Sequence, residues 1–235
     1  MLEMNNTIFI KEYTDDDLQG INESELWRYT GYMGLPDADE KIVATFDQVK
    51  KELTKAFTYK ICYLRVPIEW EKSYPILPFF SESKDLAKCL DHCNEIVLFA
   101  ATIGLEIDRH IARCGRFAPA KALLMQAYGA ERVETLCNRF CNDFQKSLSE
   151  KLSCTARFSP GYGDLPLETQ KDFFRLLDCN RKIGVSLNES LLMTPSKSVT
   201  AVFGIKLGEK HVGTCITEQT HNCANCNLKG CDYRK

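Results

Sequence analysis

An arginine leads directly into a stiff, glycine-bearing turn in the run RFSPGYGDLPLETQKDFF, residues 157–174. Ser159-Pro160-Gly161-Tyr162-Gly163 joins one residue fixed in φ to two that readily take positive φ. That composition builds a tight turn and brings backbone amides close to a small anionic or polar group. Arg157 supplies a guanidinium whose fork grips a carboxylate through two parallel bonds, and Tyr162 supplies a flat ring with a hydroxyl. The same composition also suits a plain connector that reverses the chain before a helix, and local chemistry does not choose between the two.

A second group of chemically capable residues closes the sequence. Cys223, Cys226 and Cys231 form C-x2-C-x4-C, and a C-x2-C turn brings two thiolates to one metal because backbone amides wrap around the sulfurs. Cys215 or His221 offers the fourth ligand of a tetrahedral zinc site, whereas an iron–sulfur cluster calls for Cys215 or an exposed iron. Redox thiols and unliganded cysteines are the other readings of this pattern. The other eight cysteines, from Cys62 to Cys179, lie in apolar or helical patterns, where small, buried, reduced side chains are expected. Cys89/Cys93 and Cys137/Cys141 stand four apart, a spacing that puts each pair on one helix face.

These residues need elements to position them. Residues 1–22 are acidic around Asp15-Asp16-Asp17 and read as a loosely attached start, with Ile8-Phe9-Ile10 as a short strand. Ile42, Phe46, Val49, Leu53 and Phe57 recur at helical spacing behind a cap at Asp37 or Asp39. TYKICYLRVPIEW (58–70) reads as a strand. The prolines of SYPILPFF (73–80) argue against a regular element there. A short helix is expected over 85–93, a buried strand over 94–104 and a helix over 105–114.

Between Pro119 and Leu152 a broad apolar stripe predicts one long core helix, with Gly129 marking close packing or a kink. A helix over 167–177 follows the turn, then a strand over 198–206, and GEKHVG (208–213) reads as a reversal into a further strand. Helices and strands mix without βαβ alternation, so the expected class is α+β with one curved, mostly antiparallel sheet flanked by helices.

Composition narrows the partners. A net charge of −2 over 235 residues, without a long Lys/Arg run, provides no field for a phosphate backbone, so nucleic acid is not expected. Neither a signal peptide nor an apolar stretch near the ~18 residues of a membrane span is visible, and a cytoplasmic location is expected. No Walker loop, dinucleotide fingerprint or Ser/His/Asp grouping suggests a self-sufficient enzyme.

The run from Arg157 to Ile205 resembles the core of the activation domain of cobalamin (vitamin B12)-dependent methionine synthase. That family carries an Arg-Pro-x-Pro-Gly-Tyr turn, a Leu-rich helix, an Ile-Gly-x-x-Leu-Thr-Glu-Ser segment, then a proline and a Ser-Val-Ser strand. Here the matching stretches are RFSPGY, the helix after it, IGVSLNES and SVT. RYTGYMG and TIGLEIDRHI resemble segments of stand-alone relatives of that domain.

The resemblance implies one activation-domain-like domain over 1–214, followed by a Cys-rich tail over 215–235. It implies binding of S-adenosylmethionine, with Arg157 on the methionyl carboxylate and Ser159, Gly161 and Tyr162 lining the turn; Glu189 and His211 are further candidates. It also implies a corrinoid-dependent methionine synthase or related corrinoid protein as partner and cobalamin carrier, reactivated by reductive methylation with a flavodoxin- or ferredoxin-type electron donor. The chain departs from the family at Phe158, where a proline is usual, at Asn188, where threonine is usual, and at His211-Val212, where a tyrosine pair is usual. A non-catalytic docking module for a corrinoid protein is the alternative those departures leave.

Overall fold

The computed structural model describes residues 7–18, 20–31 and 40–208. In chain order the elements are β1 (Phe9–Tyr13), α1 (Glu23–Tyr29), α2 (Glu40–Leu53), β2 (Tyr59–Pro67), β3 (Glu69–Glu71), β4 (Tyr74–Ile76), α3 (Lys84–Cys89) and β5 (Cys93–Thr102). They continue as α4 (Glu106–Gly115), α5 (Pro119–Ser147), β6 (Leu152–Cys154), α6 (Gln170–Leu177), α7 (Cys179–Ile183), β7 (Ser186–Leu187), β8 (Met193–Thr194) and β9 (Ser198–Leu207).

Five strands form one curled antiparallel sheet in the order β1-β2-β5-β9-β6. β5 lies at its centre and is buried without interruption from Ile96 to Thr102. A central strand covered on both faces carries apolar side chains on both, which explains its continuous hydrophobic run. Val97, Phe99 and Ala101 join α1, α2, α4 and α5 in one core; Ile96, Leu98 and Ala100 join α3, α6 and α7 in the other. Mixed helices and strands around a curled antiparallel sheet, with one long helix, are the α+β architecture the sequence predicts.

The helix α5 stops at Ser147, short of the expected Leu152, because Leu152 to Cys154 pair with the end of β9. Gly129 admits α4 and the stem of Lys197 to the helix backbone: a Cβ there would lie 3.2 Å from both Ile107 and Lys197. The helix expected over 85–93 ends at Cys89, and Cys93 begins β5 instead. The SYPILPFF segment holds a regular element after all, since Pro75 sits opposite Trp70 in the two-stranded β3–β4 ladder. A proline is tolerated where no further strand needs its missing N–H.

The start of the chain is tied down along the described part of 1–22. β1 pairs with β2 from Phe9 to Tyr13, and Arg132 on α5 donates to the carbonyls of Leu18 (2.8 Å) and Gly20 (2.6 Å). Arg132 is itself paired with Glu131, and both are buried. Glu131 also accepts from the Asn22 amide at 2.9 Å and the Thr135 hydroxyl at 2.8 Å. The caps expected at Asp37 or Asp39, and the strand expected after 208, lie outside the described residues.

Candidate functional site

Past β6 the chain continues along the open edge of β9. Thr155 donates its amide to Gly204 at 2.9 Å, and Phe158 and Val202 exchange both backbone bonds at 2.8 Å. Arg157 and Phe158 are therefore neighbours on an extended edge, and successive side chains of an extended chain leave on opposite faces. Phe158 packs with the core that holds Val202, and Arg157 turns to α5. The sequence motif places the two together; the pleat separates them.

The turn itself is closed by its own amides. Gly161 donates to the Leu165 carbonyl at 2.9 Å, Tyr162 to Ser159 at 3.1 Å and Leu165 to Tyr162 at 3.0 Å. The amides of Gly161 and Tyr162, expected to face a ligand, are thus spent inside the turn. Both glycines have positive φ, +84° at Gly161 and +51° at Gly163, where a side chain is strained.

Asp164 fastens this turn to the start of α3. Its carboxylate accepts the amides of Lys84 at 2.8 Å and Asp85 at 3.2 Å, together with the Ser83 hydroxyl. Ser83 in turn accepts from the Leu86 amide at 2.9 Å as the helix cap. The Ser83 hydroxyl and the two amides hold the Asp164 carboxyl below its ordinary range.

Arg157 carries the main electrostatic feature. Its Nη2 donates to Glu134 Oε2 at 3.0 Å and to Asn138 Oδ1 at 2.8 Å, both on α5. The Arg157 side chain is 14% exposed and that of Glu134 37%, so the pair forms a charged lip with its carboxylate side toward solvent. Burial opposes the guanidinium's charge, yet Cys137 and Glu134 outweigh it and hold its pKa above the ordinary value. Cys137 beneath it is fully enclosed; burial pushes its thiol up to about 12 despite the adjacent guanidinium, so it remains a thiol at neutral pH.

Tyr162 is half-exposed, its ring edge-on to Phe158 at 6.2 Å between centroids. Ser159 and Gly161 belong to the same connection as Arg157. Glu189 is exposed at the tip of the β7–β8 loop, where the Asn188 side chain accepts from the Leu192 amide at 2.9 Å. Among the described residues no hydrogen bond or ion pair joins Glu189 to Arg157 or to the turn. His211, Cys215, His221, Cys223, Cys226 and Cys231 lie outside the described residues. Among those described, no group of three or more His, Cys, Asp or Glu side chains is arranged to hold a metal ion.

Sequence reasoning missed Glu134, Asn138 and Asp164. Glu134 and Asn138 stand four apart on α5, a spacing that puts both on one helix face, and that polar i, i+4 pair was the available signal. Among the described residues no helix is long and apolar enough to cross a membrane.

A family model described as the activation domain of vitamin B12-dependent methionine synthase matches residues 18–225. Among solved structures, the chain is similar to one described as a crystal structure of the MetH reactivation domain bound to AdoHcy. The TM-score is 0.66 at 14% identity, covering 84% of this chain and 78% of that one. No curated protein matches the sequence.

Proposed function

We propose, from the premise that this chain belongs to the activation-domain family of vitamin B12-dependent methionine synthase, that it serves as the reactivation partner of a corrinoid-dependent methionine synthase. In this reading it binds S-adenosylmethionine and presents the methyl group to cobalamin carried by the partner. A flavodoxin- or ferredoxin-type donor supplies one electron, which takes inert Co(II) to Co(I). The sulfonium carbon–sulfur bond then breaks with its pair left on sulfur, and the cobalt–carbon bond forms. This chain's part is to bind and orient the methyl donor.

The observation that supports the reading most directly is the Arg157 guanidinium at the head of the turn, held on a partly open lip with Glu134. Arg157 answers the methionyl carboxylate, Ser159, Gly161 and Tyr162 border it, and Glu189 and His211 are further contacts. The Tyr162 ring is half-exposed and packs edge-on to Phe158, which leaves it open to a ligand at the turn.

A second reading, a docking module that no longer binds the methyl donor, is favoured by two observations. Arg157 is already engaged by Glu134 and Asn138, and His211-Val212 replace the family's tyrosine pair. Titration calorimetry of the full chain with S-adenosylmethionine separates the two. Saturable binding that Arg157→Lys abolishes supports the activator; a folded protein that binds nothing, alone or with the corrinoid partner, supports the docking module.

The Cys-rich end would add a metal site. Cys215, Cys223, Cys226 and Cys231 provide four thiolates, a donor set that suits zinc or an iron–sulfur cluster. Such a cluster would supply low-potential electron transfer. Iron, sulfide and zinc analysis of anaerobically purified protein tests this, and absence of a stoichiometric metal rejects it.

A further inference from the structure

Both N–H bonds of Arg157 Nη2 are in use, one on Glu134 and one on Asn138. The two edges through which a guanidinium holds a carboxylate in parallel bonds, Nε with Nη2 and Nη1 with Nη2, both include that nitrogen. The Nε–Nη2 edge is used elsewhere in this protein, by Arg65 on both oxygens of Glu95 and by Arg132 on Glu131. A carboxylate ligand therefore reaches a two-bond grip on Arg157 only if Glu134 or Asn138 releases Nη2.

Glu134 is the partner that a ligand carboxylate displaces, because the two are anions competing for the same N–H, whereas Asn138 is neutral. The Glu134 carboxylate is the more open half of the ion pair, 37% exposed against 14% for Arg157. Once displaced by a second carboxylate it stands beside a like charge, which is unfavourable unless a cation comes between. An α-amino acid brings that cation one carbon from its own carboxylate.

We propose that Glu134 is an internal occupant of the ligand's place on Arg157, and that it changes partner to the α-ammonium when a nucleoside with an intact amino-acid head group binds. The proposal rests on the S-adenosylmethionine reading above and adds a specificity to it. Guanidinium, ligand carboxylate, ligand ammonium and Glu134 then alternate in charge, with Asn138 still holding Arg157 in place. A ligand with a carboxylate but no ammonium leaves two carboxylates side by side. A ligand without the head group leaves Glu134 on Arg157.

The test is calorimetry of the full chain, wild type and E134Q, with S-adenosylhomocysteine and its desamino analogue S-(5′-deoxyadenosyl)-4-thiobutanoate. These two differ only in the ammonium. Wild type is expected to prefer S-adenosylhomocysteine by on the order of tenfold or more. In E134Q the preference is expected to fall to about threefold or less, mainly because the desamino ligand binds better once the competing carboxylate is gone.

Glutamine is isosteric with Glu134, and circular dichroism checks that the variant is folded. An unchanged preference in folded E134Q overturns the proposal while leaving the S-adenosylmethionine site standing. If wild type binds neither these ligands nor S-adenosylmethionine, the reading of the site falls and this proposal falls with it. Asn138→Ala provides a second check: weaker binding of both ligands without a change in their ratio is expected, and a collapsed ratio would assign the discrimination to Asn138 instead.

Discussion

Glu131 and Arg132 form a buried ion pair, 1% and 4% exposed, and removing one partner should be the most costly single polar change in the described part of the molecule. In Glu131→Ala the Arg132 guanidinium loses bonds of 2.6 and 2.8 Å to the carboxylate and keeps those to the Leu18 and Gly20 carbonyls. The Asn22 amide loses its acceptor as well. Leaving one buried charge without its counter-charge costs about 3–5 kcal/mol. For a chain of this size each kcal/mol lowers the melting temperature by about 2–4 °C, so a fall of about 6–20 °C is expected.

Glu131→Gln retains one acceptor for the Asn22 amide and Arg132 Nη2 but sets an NH2 against Arg132 Nε, donor to donor, so it should lose less than Glu131→Ala without restoring the wild-type stability. The assay is thermal and urea unfolding followed by circular dichroism, with hydrogen exchange of amides 20–26 as the local readout. Exchange there should rise more than in the β5 core. A loss below about 1 kcal/mol in Glu131→Ala would refute the reasoning, because it would mean that the pair's desolvation cost cancels its attraction and that the start of the chain is held by other contacts. Glu134 lies three residues further along α5, so ligand affinity in Glu131→Gln also reports whether this anchor steadies the candidate site.

Gly163→Ala places an L side chain at φ +51° with its Cβ 2.6 Å from Asp85 Oδ2; it should cost about 1–2 kcal/mol, read by urea unfolding. Gly184→Ala, at φ +71° with nothing within 4 Å, carries the backbone cost alone, and a Gly163 variant more stable than this control would contradict the close approach. Burial pushes the Asp143 carboxyl up, but Lys11, Tyr13 and Arg139 outweigh it and hold its pKa below the ordinary value. Its stabilising contribution is therefore complete above the unfolded value of about 3.9 and is lost as pH falls through the lower folded value. Asp143→Asn should be less stable than wild type at pH 7 and the gap should close below about pH 4; a gap constant down to pH 2 would assign the loss to geometry rather than charge.

Much of the architecture was legible because it follows from periodicity. The stripe along α5, the unbroken apolar run of β5 and the alternation into β9 each report which faces are covered. The class and the long helix follow from those runs. What periodicity does not report is the partner of an edge. β3 and β4 pair across Trp70 and Pro75, and the end of β9 takes Leu152 to Cys154 from what reads as helix. The second depends on a strand distant in sequence, with Leu152 facing Leu207; the first is a local hairpin disguised by Pro75, which sits where no further strand needs its missing N–H. The α1 helix, whose cap is Asn22, is short enough that its pattern barely repeats.

The candidate site divides along the same line. Sequence alone determined that a guanidinium stands two residues before a glycine-bearing turn, and that the turn needs positive φ, because these are properties of residue type and nearest neighbours. Tertiary structure decided where that guanidinium goes. The pleat of the edge segment sends Arg157 to α5 and Phe158 to the opposite face, and Glu134 and Asn138, 23 and 19 residues earlier in the chain, meet it there. Asp164 likewise reads as one more turn residue until α3, 80 residues away, brings its free amides to it. Local conformation is encoded locally, whereas the partner of a buried charge is set by which elements pack together, and packing is a property of the whole chain.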